Sequence, residues 1–182
     1  MLRPLHMAHR FLEEVLTPED VAVDATMGNG HDTLFLAQRA GHVIAFDIQE
    51  QAITKTSKKI EDAGLANVEL ILEGHEKVDR YVKECKVAIF NLGYLPSSDK
   101  SLITRPSTTL EAIEKLLSSM VVGGRMAIMV YYGHEGGAVE KDAVLEFVET
   151  LEQTMFAVML YKPLNQIHTP PFLIMIEKLK EG

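Results

Sequence analysis

The feature that most constrains the fold is a short run, residues 21–33, in which an apolar segment meets two glycines. The segment Val21–Asp24 has the character of a β-strand, Gly28 and Gly30 follow it one residue apart, and a helical pattern begins at Asp32. Glycines between a strand and a helix let the backbone approach a ligand where side chains would block it. The run therefore predicts an α/β protein with a ligand-binding turn.

The same turn discriminates between cofactor classes. The dinucleotide fingerprint G-x-G-x-x-G needs a third glycine where this chain has Thr33, which argues against a nicotinamide oxidoreductase. With Asp24 four residues before Gly28, the run reads D-x-x-x-G-x-G and resembles the first motif of class I S-adenosylmethionine (SAM) methyltransferases. A glycine-rich turn in another α/β protein is the alternative that the motif alone leaves open.

The second and third predicted strands extend the candidate cofactor site. Residues 42–47 form an apolar strand that ends on Asp47, 23 positions after Asp24. This is close to the spacing at which an acidic residue accepts hydrogen bonds from ribose hydroxyls. The third strand runs into Gly74 and His75, which are adenine-side candidates in a fold of this type, although a capped loop without a ligand is an alternative.

The fourth predicted strand ends in Asn91-Leu92-Gly93-Tyr94, at the edge where an α/β sheet places its chemistry. This stretch resembles the Asn-Pro-Pro-Tyr motif of amino-directed methyltransferases, in which the Asn orients a nucleophilic amino group and the aromatic ring stacks on the substrate. The middle pair Leu92-Gly93 departs from that motif. A turn with a buried tyrosine is the alternative.

The order of the elements predicts the fold class. Strands and helices alternate five times and two strands then follow in succession, with one of the helices expected over 108–120 and ending near Gly123. The pattern resembles the α/β, Rossmann-like, seven-stranded class I methyltransferase fold, a mostly parallel doubly wound sheet that ends in an antiparallel hairpin. We expect one domain over residues 1–182, with residues 1–20 as a helical lead-in.

Composition narrows the possible partners. A formal net charge of −8 over 182 residues argues against a broad electrostatic grip on nucleic acid, which Lys and Arg provide. A local basic patch that contacts RNA or another partner remains possible, formed by Arg3, His6, His9 and Arg10. The alternative is that these residues are solvated charges at the start of a helix.

The chain shows no apolar run of the roughly 20 residues that a membrane span needs. The single cysteine, Cys85, excludes an internal disulfide and fits a reducing cytoplasm.

Four stretches together carry a closer resemblance: residues 24–33, 91–96, 132–136 and 165–171. By these motifs the chain is identified as a member of a family of small bacterial proteins labelled putative rRNA methylases. Members are regarded as tRNA methyltransferases that convert the 5-aminomethyl group of wobble (2-thio)uridine to 5-methylaminomethyl. The resemblance implies SAM as cofactor, no metal, and tRNA as partner. A homodimer that joins two basic patches is a further hypothesis.

The motifs and the resemblance together give three sets of candidate residues. The expected cofactor-binding residues are Asp24, Thr26, Gly28, Asn29, Gly30, His31, Asp32, Thr33, Asp47, Ile48, Gln49, Gly74, His75 and Asn91. The expected catalytic residues are Asn91, Tyr94 and His134. The expected substrate-binding residues are Tyr94, Arg105, Tyr132, Asn165 and His168.

Several of these roles have alternatives. Asn91 can orient an amine without becoming charged, and His134 either accepts a proton or shapes a glycine-rich turn. Tyr132 either stacks on the uracil or packs against the protein. For the whole chain, one alternative is a SAM methyltransferase that acts on rRNA or on a small amine, and the acidic net charge favours the small amine of these two. The other alternative is a non-catalytic SAM- or RNA-binding protein.

Overall fold

The computed structural model describes residues 1–93 and 105–182. Strands and helices alternate along the chain, and a short 3₁₀ helix, His75–Arg80, follows the third strand. The α-helices are α1 (Pro4–Glu13), α2 (His31–Ala37), α3 (Glu50–Asp62), α4 (Pro106–Ser119) and α5 (Gly137–Glu149). The strands are β1 (Val21–Asp24), β2 (His42–Phe46), β3 (Val68–Ile71), β4 (Cys85–Leu92), β5 (Met120–Val130), β6 (Phe156–Tyr161) and β7 (Phe172–Lys178).

The strands form a seven-stranded sheet in the order β3-β2-β1-β4-β5-β7-β6. The first five strands of this order pair in parallel, whereas β7 pairs antiparallel with both β5 and β6. The predicted fold class, including the antiparallel pair at the end, is confirmed. The order reverses direction at β1 and β4, and a doubly wound sheet binds its ligands at such a point, outside the carboxyl ends of the strands.

Helices cover both faces of the sheet. On one face α4 and α5 pack with the 3₁₀ helix over a core that includes Phe90 and Ile113. On the other face α1, α2 and α3 pack over a second core that includes Leu12 and Leu36. Because successive side chains of a strand point to opposite faces, Val87 and Ile89 of β4 belong to this second core. The same alternation directs Asn91 toward α1 and α2.

The start of β5 differs from the sequence prediction. The helix expected over 108–120 ends at Ser119, but the strand begins directly at Met120 and not beyond Gly123. Met120 pairs with Cys85, and the register then shifts before Val87 pairs with Arg125. The glycines therefore lie inside an irregular strand start, where pairing with β4 overrides the usual role of glycine as a helix stop.

Helix α1 is tied to the far strands of the sheet. The Arg125 guanidinium donates to the Phe11 carbonyl and to Glu14, each at 2.8 Å, and its Nε donates to Glu177 at 2.8 Å. The Tyr161 hydroxyl donates to the Leu2 carbonyl at 2.7 Å. The predicted helical lead-in is thus fixed against β5, β6 and β7.

Within residues 1–93 and 105–182, none of the helices is long and apolar enough to span a membrane.

Candidate functional site

The glycine turn after β1 is organised by the Asp24 carboxylate. Asp24 is fully buried at the end of β1. One of its oxygens accepts a hydrogen bond from the Thr26 backbone at 3.1 Å, and the other accepts from the Thr33 hydroxyl at 2.7 Å. The carboxylate therefore joins the strand end to the first turn of α2 and fixes the loop between them.

The pKa of the Asp24 carboxyl is raised from 3.8 to about 7, chiefly by burial and also by the nearby Asp32 carboxylate, against the lowering effect of the Thr33 hydrogen bond. In the unfolded chain the carboxyl loses its proton near pH 3.8. The stability that the protonated form contributes is therefore complete below that pH and is lost as the pH rises to about 7.

We expect Asp24→Asn, which cannot ionise, to gain stability relative to the unmodified protein as the pH rises from 4 to 7. The gain should reach about 2–4 kcal/mol, since each pKa unit corresponds to about 1.4 kcal/mol. Urea unfolding at several pH values measures it, with the exposed Asp62→Asn as control. Parallel stability curves for Asp24→Asn and the unmodified protein would contradict the expectation.

Asp47, which follows β2, faces the same turn. Its Oδ2 accepts a hydrogen bond from the Gly28 backbone and its Oδ1 accepts one from the Gln49 backbone, both at 3.0 Å. A carboxylate has about four acceptor positions, so each oxygen retains capacity for one further donor. Ile48, beside it, is 50% exposed and offers an apolar surface.

Thr56 of α3 supports the turn from beneath. At Gly30, whose φ of +83° favours glycine, an added Cβ would lie 2.6 Å from the Thr56 hydroxyl oxygen. Thr56 is fully buried, and its hydroxyl donates to the Gly28 carbonyl at 3.4 Å. Sequence reasoning missed this residue. The signal was its helical spacing with Ala52 and Ile60, which are buried on the same face of α3.

Asn91 is held in one orientation at the carboxyl end of β4. Its backbone N–H donates to the Thr26 hydroxyl oxygen at 2.7 Å, and its side-chain NH₂ donates to Oδ2 of Asp32. Because a carboxylate accepts from the amide nitrogen and not from the amide oxygen, this contact fixes which end of the amide faces Asp32. The Asn91 carbonyl oxygen is the end that remains as an acceptor.

Asp32 has a second partner, His9 of α1. The ring Nε2 of His9 donates to Oδ1 of Asp32 at 2.6 Å, and the ring stacks on Phe35 with centroids 3.9 Å apart. His9 belongs to the cluster that the sequence predicts either to face water or to contact RNA. The first alternative does not describe its ring, which lies against α2 and bonds a buried carboxylate, and the RNA contact stays a prediction. The signal for this was its spacing between Leu5 and Leu12 on the packed face of the helix.

His134 lies beside the segment that follows Asn91. Gly93 has a φ of +75°, and an added Cβ would collide with the His134 ring and the Tyr131 carbonyl. The ring therefore packs directly on the backbone two residues after Asn91. The structure thus places His134 against Gly93, and the third predicted catalytic residue, Tyr94, lies outside the described residues.

We expect Gly93→Ala to be more destabilising than Gly64→Ala. Gly64 has a similar φ of +70° but no atom within 4 Å of an added Cβ, so its substitution costs only the left-handed backbone strain of about 1–2 kcal/mol. The Gly93 variant adds the collision with His134. Thermal unfolding of both variants measures the difference, and Gly93→Ala/His134→Ala should recover part of it. Equal losses at the two glycines would contradict the described contact.

His75 lies beneath the turn on the side of β3. It is buried, and its Nδ1 donates to the Ala25 carbonyl at 3.0 Å. Burial lowers the pKa of the imidazole, which favours the neutral form with Nε2 as an acceptor. Gly74 precedes it directly, so both adenine-side candidates lie at the carboxyl edge of the sheet, beyond β3.

The remaining cofactor and substrate candidates are more dispersed. His31 is exposed, and its Nδ1 lies 3.0 Å from the Lys59 ammonium. Tyr132 packs with its ring centroid 5.6 Å from that of Phe172, which matches the packing alternative. Asn165 and His168 are exposed on the connection between β6 and β7, whose Thr169 side chain contacts Gly133 next to His134.

Arg105 is exposed at the start of α4. It lies immediately after the residues that the structure does not describe. Within residues 1–93 and 105–182, no group of three or more His, Cys, Asp or Glu side chains is arranged to hold a metal ion.

The donor set fits a SAM cofactor. Asp47 offers carboxylate oxygens suited to a ribose diol, and the exposed Ile48 suits the face of an adenine. Asp24 and Asp32 place acidic groups at the strand end and in the first turn of α2. Acidic groups there suit a cationic sulfonium and disfavour a pyrophosphate, whose usual partner is an unoccupied helix N-terminus.

Comparisons with known proteins agree with this fit. A family model described as "Putative rRNA methylase" matches residues 43–177. A "tRNA (mnm(5)s(2)U34)-methyltransferase, chloroplastic" of Arabidopsis thaliana is 33% identical over 187 residues, which span 94% of this chain and 68% of that protein. Among solved structures, a putative methyltransferase of Streptococcus mutans in complex with SAH is 58% identical with a TM-score of 0.94, covering 98% of this chain and 99% of that one. A putative rRNA methylase of Clostridium thermocellum is 42% identical with a TM-score of 0.96 and the same coverage.

Proposed function

Because the chain belongs to the rRNA methylase family and is a SAM-dependent methyltransferase, we propose that it methylates an amino group on tRNA. The proposed substrate is the aminomethyl group of 5-aminomethyl-(2-thio)uridine at the wobble position, and the product is 5-methylaminomethyl-(2-thio)uridine. The printed name of the Arabidopsis relative refers to this modified uridine at position 34. The family description refers instead to rRNA, which is the second substrate to test.

The observation that carries the proposal is the acceptor that Asn91 offers. With its NH₂ group donated to Asp32, the side chain presents a carbonyl oxygen at the sheet edge. A primary amine about to attack has N–H groups to donate and a lone pair that must point at the methyl group. An amide oxygen that accepts one N–H turns that lone pair without taking up charge.

The bound cofactor supplies an electrophilic methyl group on a sulfonium. The protein's part is to align the amine and to stabilise the positive charge that grows on the nitrogen during transfer. Asn91 aligns the amine. Asp32 lies directly behind the Asn91 amide, and its negative charge stabilises the positive charge on the nitrogen by electrostatic preorganisation.

A proton must also leave the amine. An aliphatic amine is mostly protonated near neutral pH, by analogy with the lysine side chain, whose reference pKa is about 10.4. It must lose a proton before it can attack. We assign the proton acceptor to His134, because its ring packs against Gly93, two residues from Asn91. Imidazole exchanges protons near neutral pH, directly or through water.

The tRNA must bind to an acidic protein. Exposed cations that could contribute to tRNA binding are Arg3 and Arg10 at helix α1 and Arg105 at the start of α4. Lys100, a further cation that the sequence offers for such a patch, lies outside the described residues. A homodimer would join two such patches, and light scattering would contradict it by giving a single species of 20.3 kDa.

The test is to incubate the protein with SAM and bacterial tRNA that carries either unmodified or aminomethylated wobble uridine. The tRNA is then digested and the nucleosides are identified by mass spectrometry. We expect 5-methylaminomethyl uridine only from the aminomethylated tRNA. Absence of product, with SAM bound in the same preparation, would overturn the substrate and leave rRNA and small amines as the next candidates. A protein that binds SAM and never transfers the methyl group would be a binding module.

A further inference from the structure

We propose that His9 is a positioning residue for the Asn91 amide, acting through Asp32, so that helix α1 is part of the catalytic machinery. The inference rests on the proposed role of Asn91 as the acceptor for the substrate amine. His9 does not touch the substrate in this proposal. Its contribution is to keep the intermediate carboxylate in the orientation that holds Asn91.

The contacts form a continuous chain from α1 to β4. His9 donates to one oxygen of Asp32 at 2.6 Å, and the Asn91 amide donates to the other. Asp32 is 6% exposed, so water competes little for its oxygens. Each carboxylate oxygen thus has a protein donor from a different element, one from the lead-in helix and one from the strand that carries the site.

The His9 ring is also held by stacking. It lies on Phe35 with an angle of 11° between the rings, and the Arg39 guanidinium in turn lies 3.9 Å from the centroid of the Phe35 ring. Its helix is tied to the sheet at both ends, by Tyr161 near Leu2 and by Arg125 at Phe11. Small movements of α1 are therefore restricted where the ring meets Asp32.

The physical need for such a support follows from the chemistry of an amide. The oxygen and nitrogen ends of an Asn side chain have nearly the same shape, so an Asn amide reverses its two ends by rotation about one bond. Among the contacts with described residues, the one to Asp32 separates the two orientations. Without His9, one oxygen of this buried carboxylate loses its donor, and the carboxylate turns or draws in water. Asn91 then loses its single orientation, and the amine loses its alignment.

Kinetics of two substitutions test the proposal. His9→Phe keeps a flat ring on Phe35 without a donor, whereas His9→Gln keeps a donor of similar reach. We expect His9→Phe to lower kcat about tenfold, the loss typical of one hydrogen bond to a charged group. The KM for tRNA and the Kd for SAM should change less than about threefold, and His9→Gln should recover most of kcat. The matched control is His42→Phe at the opposite end of the parallel strands, which should leave kcat unchanged.

A second readout needs no substrate. The chain contains four asparagines, so protein labelled with ¹⁵N-asparagine gives four side-chain NH₂ signals, and Asn91→Ala identifies the signal of Asn91. We expect that signal to shift in His9→Phe and to return in His9→Gln, and the signal of Asn67 to stay in place. If His9→Phe does not fold, His9→Leu replaces it in both measurements.

The outcomes separate the two proposals. An unchanged Asn91 signal in the folded His9→Phe protein overturns the positioning role, whatever the substrate. A raised KM for tRNA with unchanged kcat also overturns it and makes His9 an RNA contact. If the unmodified protein methylates no tRNA while the Asn91 signal shifts as expected, the proposed substrate fails and the coupling of His9 to Asn91 stands.

Discussion

Asp47→Ala is expected to weaken SAM binding at least a hundredfold while the fold stays intact. We assign the two acceptor positions of this carboxylate that no described residue occupies to the ribose hydroxyls of the cofactor. Two hydrogen bonds to a charged group, each worth about 1.5–3 kcal/mol, correspond to a factor of a hundred or more in affinity. The substitution also removes the acceptor for the Gly28 and Gln49 backbone N–H groups, which loosens the turn itself.

Calorimetric titration with SAM measures this effect, and circular dichroism checks the fold. Asp62→Ala, an exposed acid at the end of α3, is the matched control and should bind SAM normally. Asp47→Asn separates the two contributions, since it keeps one acceptor oxygen for the turn and loses the charge. An unchanged affinity in Asp47→Ala would remove this residue from the cofactor site.

Asn91→Ala is expected to reduce turnover by about 10²–10³, the range found when one preorganised hydrogen-bonding group is removed from an active site. The SAM affinity should stay within about threefold, because the proposed role of Asn91 is to align the amine. Removal of the side chain also leaves Asp32 without its second donor. This part of the effect should be reproduced by substitutions of Asp32.

Steady-state kinetics on aminomethylated tRNA and calorimetry on the same preparations measure the two quantities. Asn91→Leu is the matched control for volume, because it fills the space without an amide. It should be as slow as Asn91→Ala. Full turnover in either variant would show that the amine is held elsewhere, and a parallel loss of SAM binding would assign Asn91 to the cofactor.

The parts of the site that were predictable from sequence are those formed by local segments. Asp24, Gly28 and Gly30 lie within one strand-turn-helix unit, and their spacing alone indicates a ligand-binding turn. Asp47 was predictable because the next parallel strand ends at the same edge of the sheet, and its hydrogen bond to Gly28 confirms that the two meet. The cofactor is confirmed by the comparisons, whereas the role of each residue stays a prediction.

The parts that were not predictable depend on partners distant in sequence. His9 lies 23 positions from Asp32, and its neighbours Arg10 and His6 suggested a basic cluster because they are adjacent in the chain. The packing of α1 shows that the His9 ring faces the protein, whereas the side chains of His6 and Arg10 are exposed. The start of β5 was misplaced for a similar reason, since the pairing of Met120 with Cys85 is a contact between strands that no local pattern contains.

The ties of α1 to the far strands also set an order of events during synthesis. Tyr161 lies 159 residues beyond Leu2, and Arg125 lies 114 residues beyond Phe11. The glycine turn and Asp47 come from the first third of the chain, whereas α1 can be fixed on the sheet only after β5 and β6 have been synthesised. Contacts this distant in sequence form late, because the loop that they close is long. In a nascent chain, α1 is therefore expected to dock, and the contact between His9 and Asp32 to be fixed, only after these distant strands have left the ribosome.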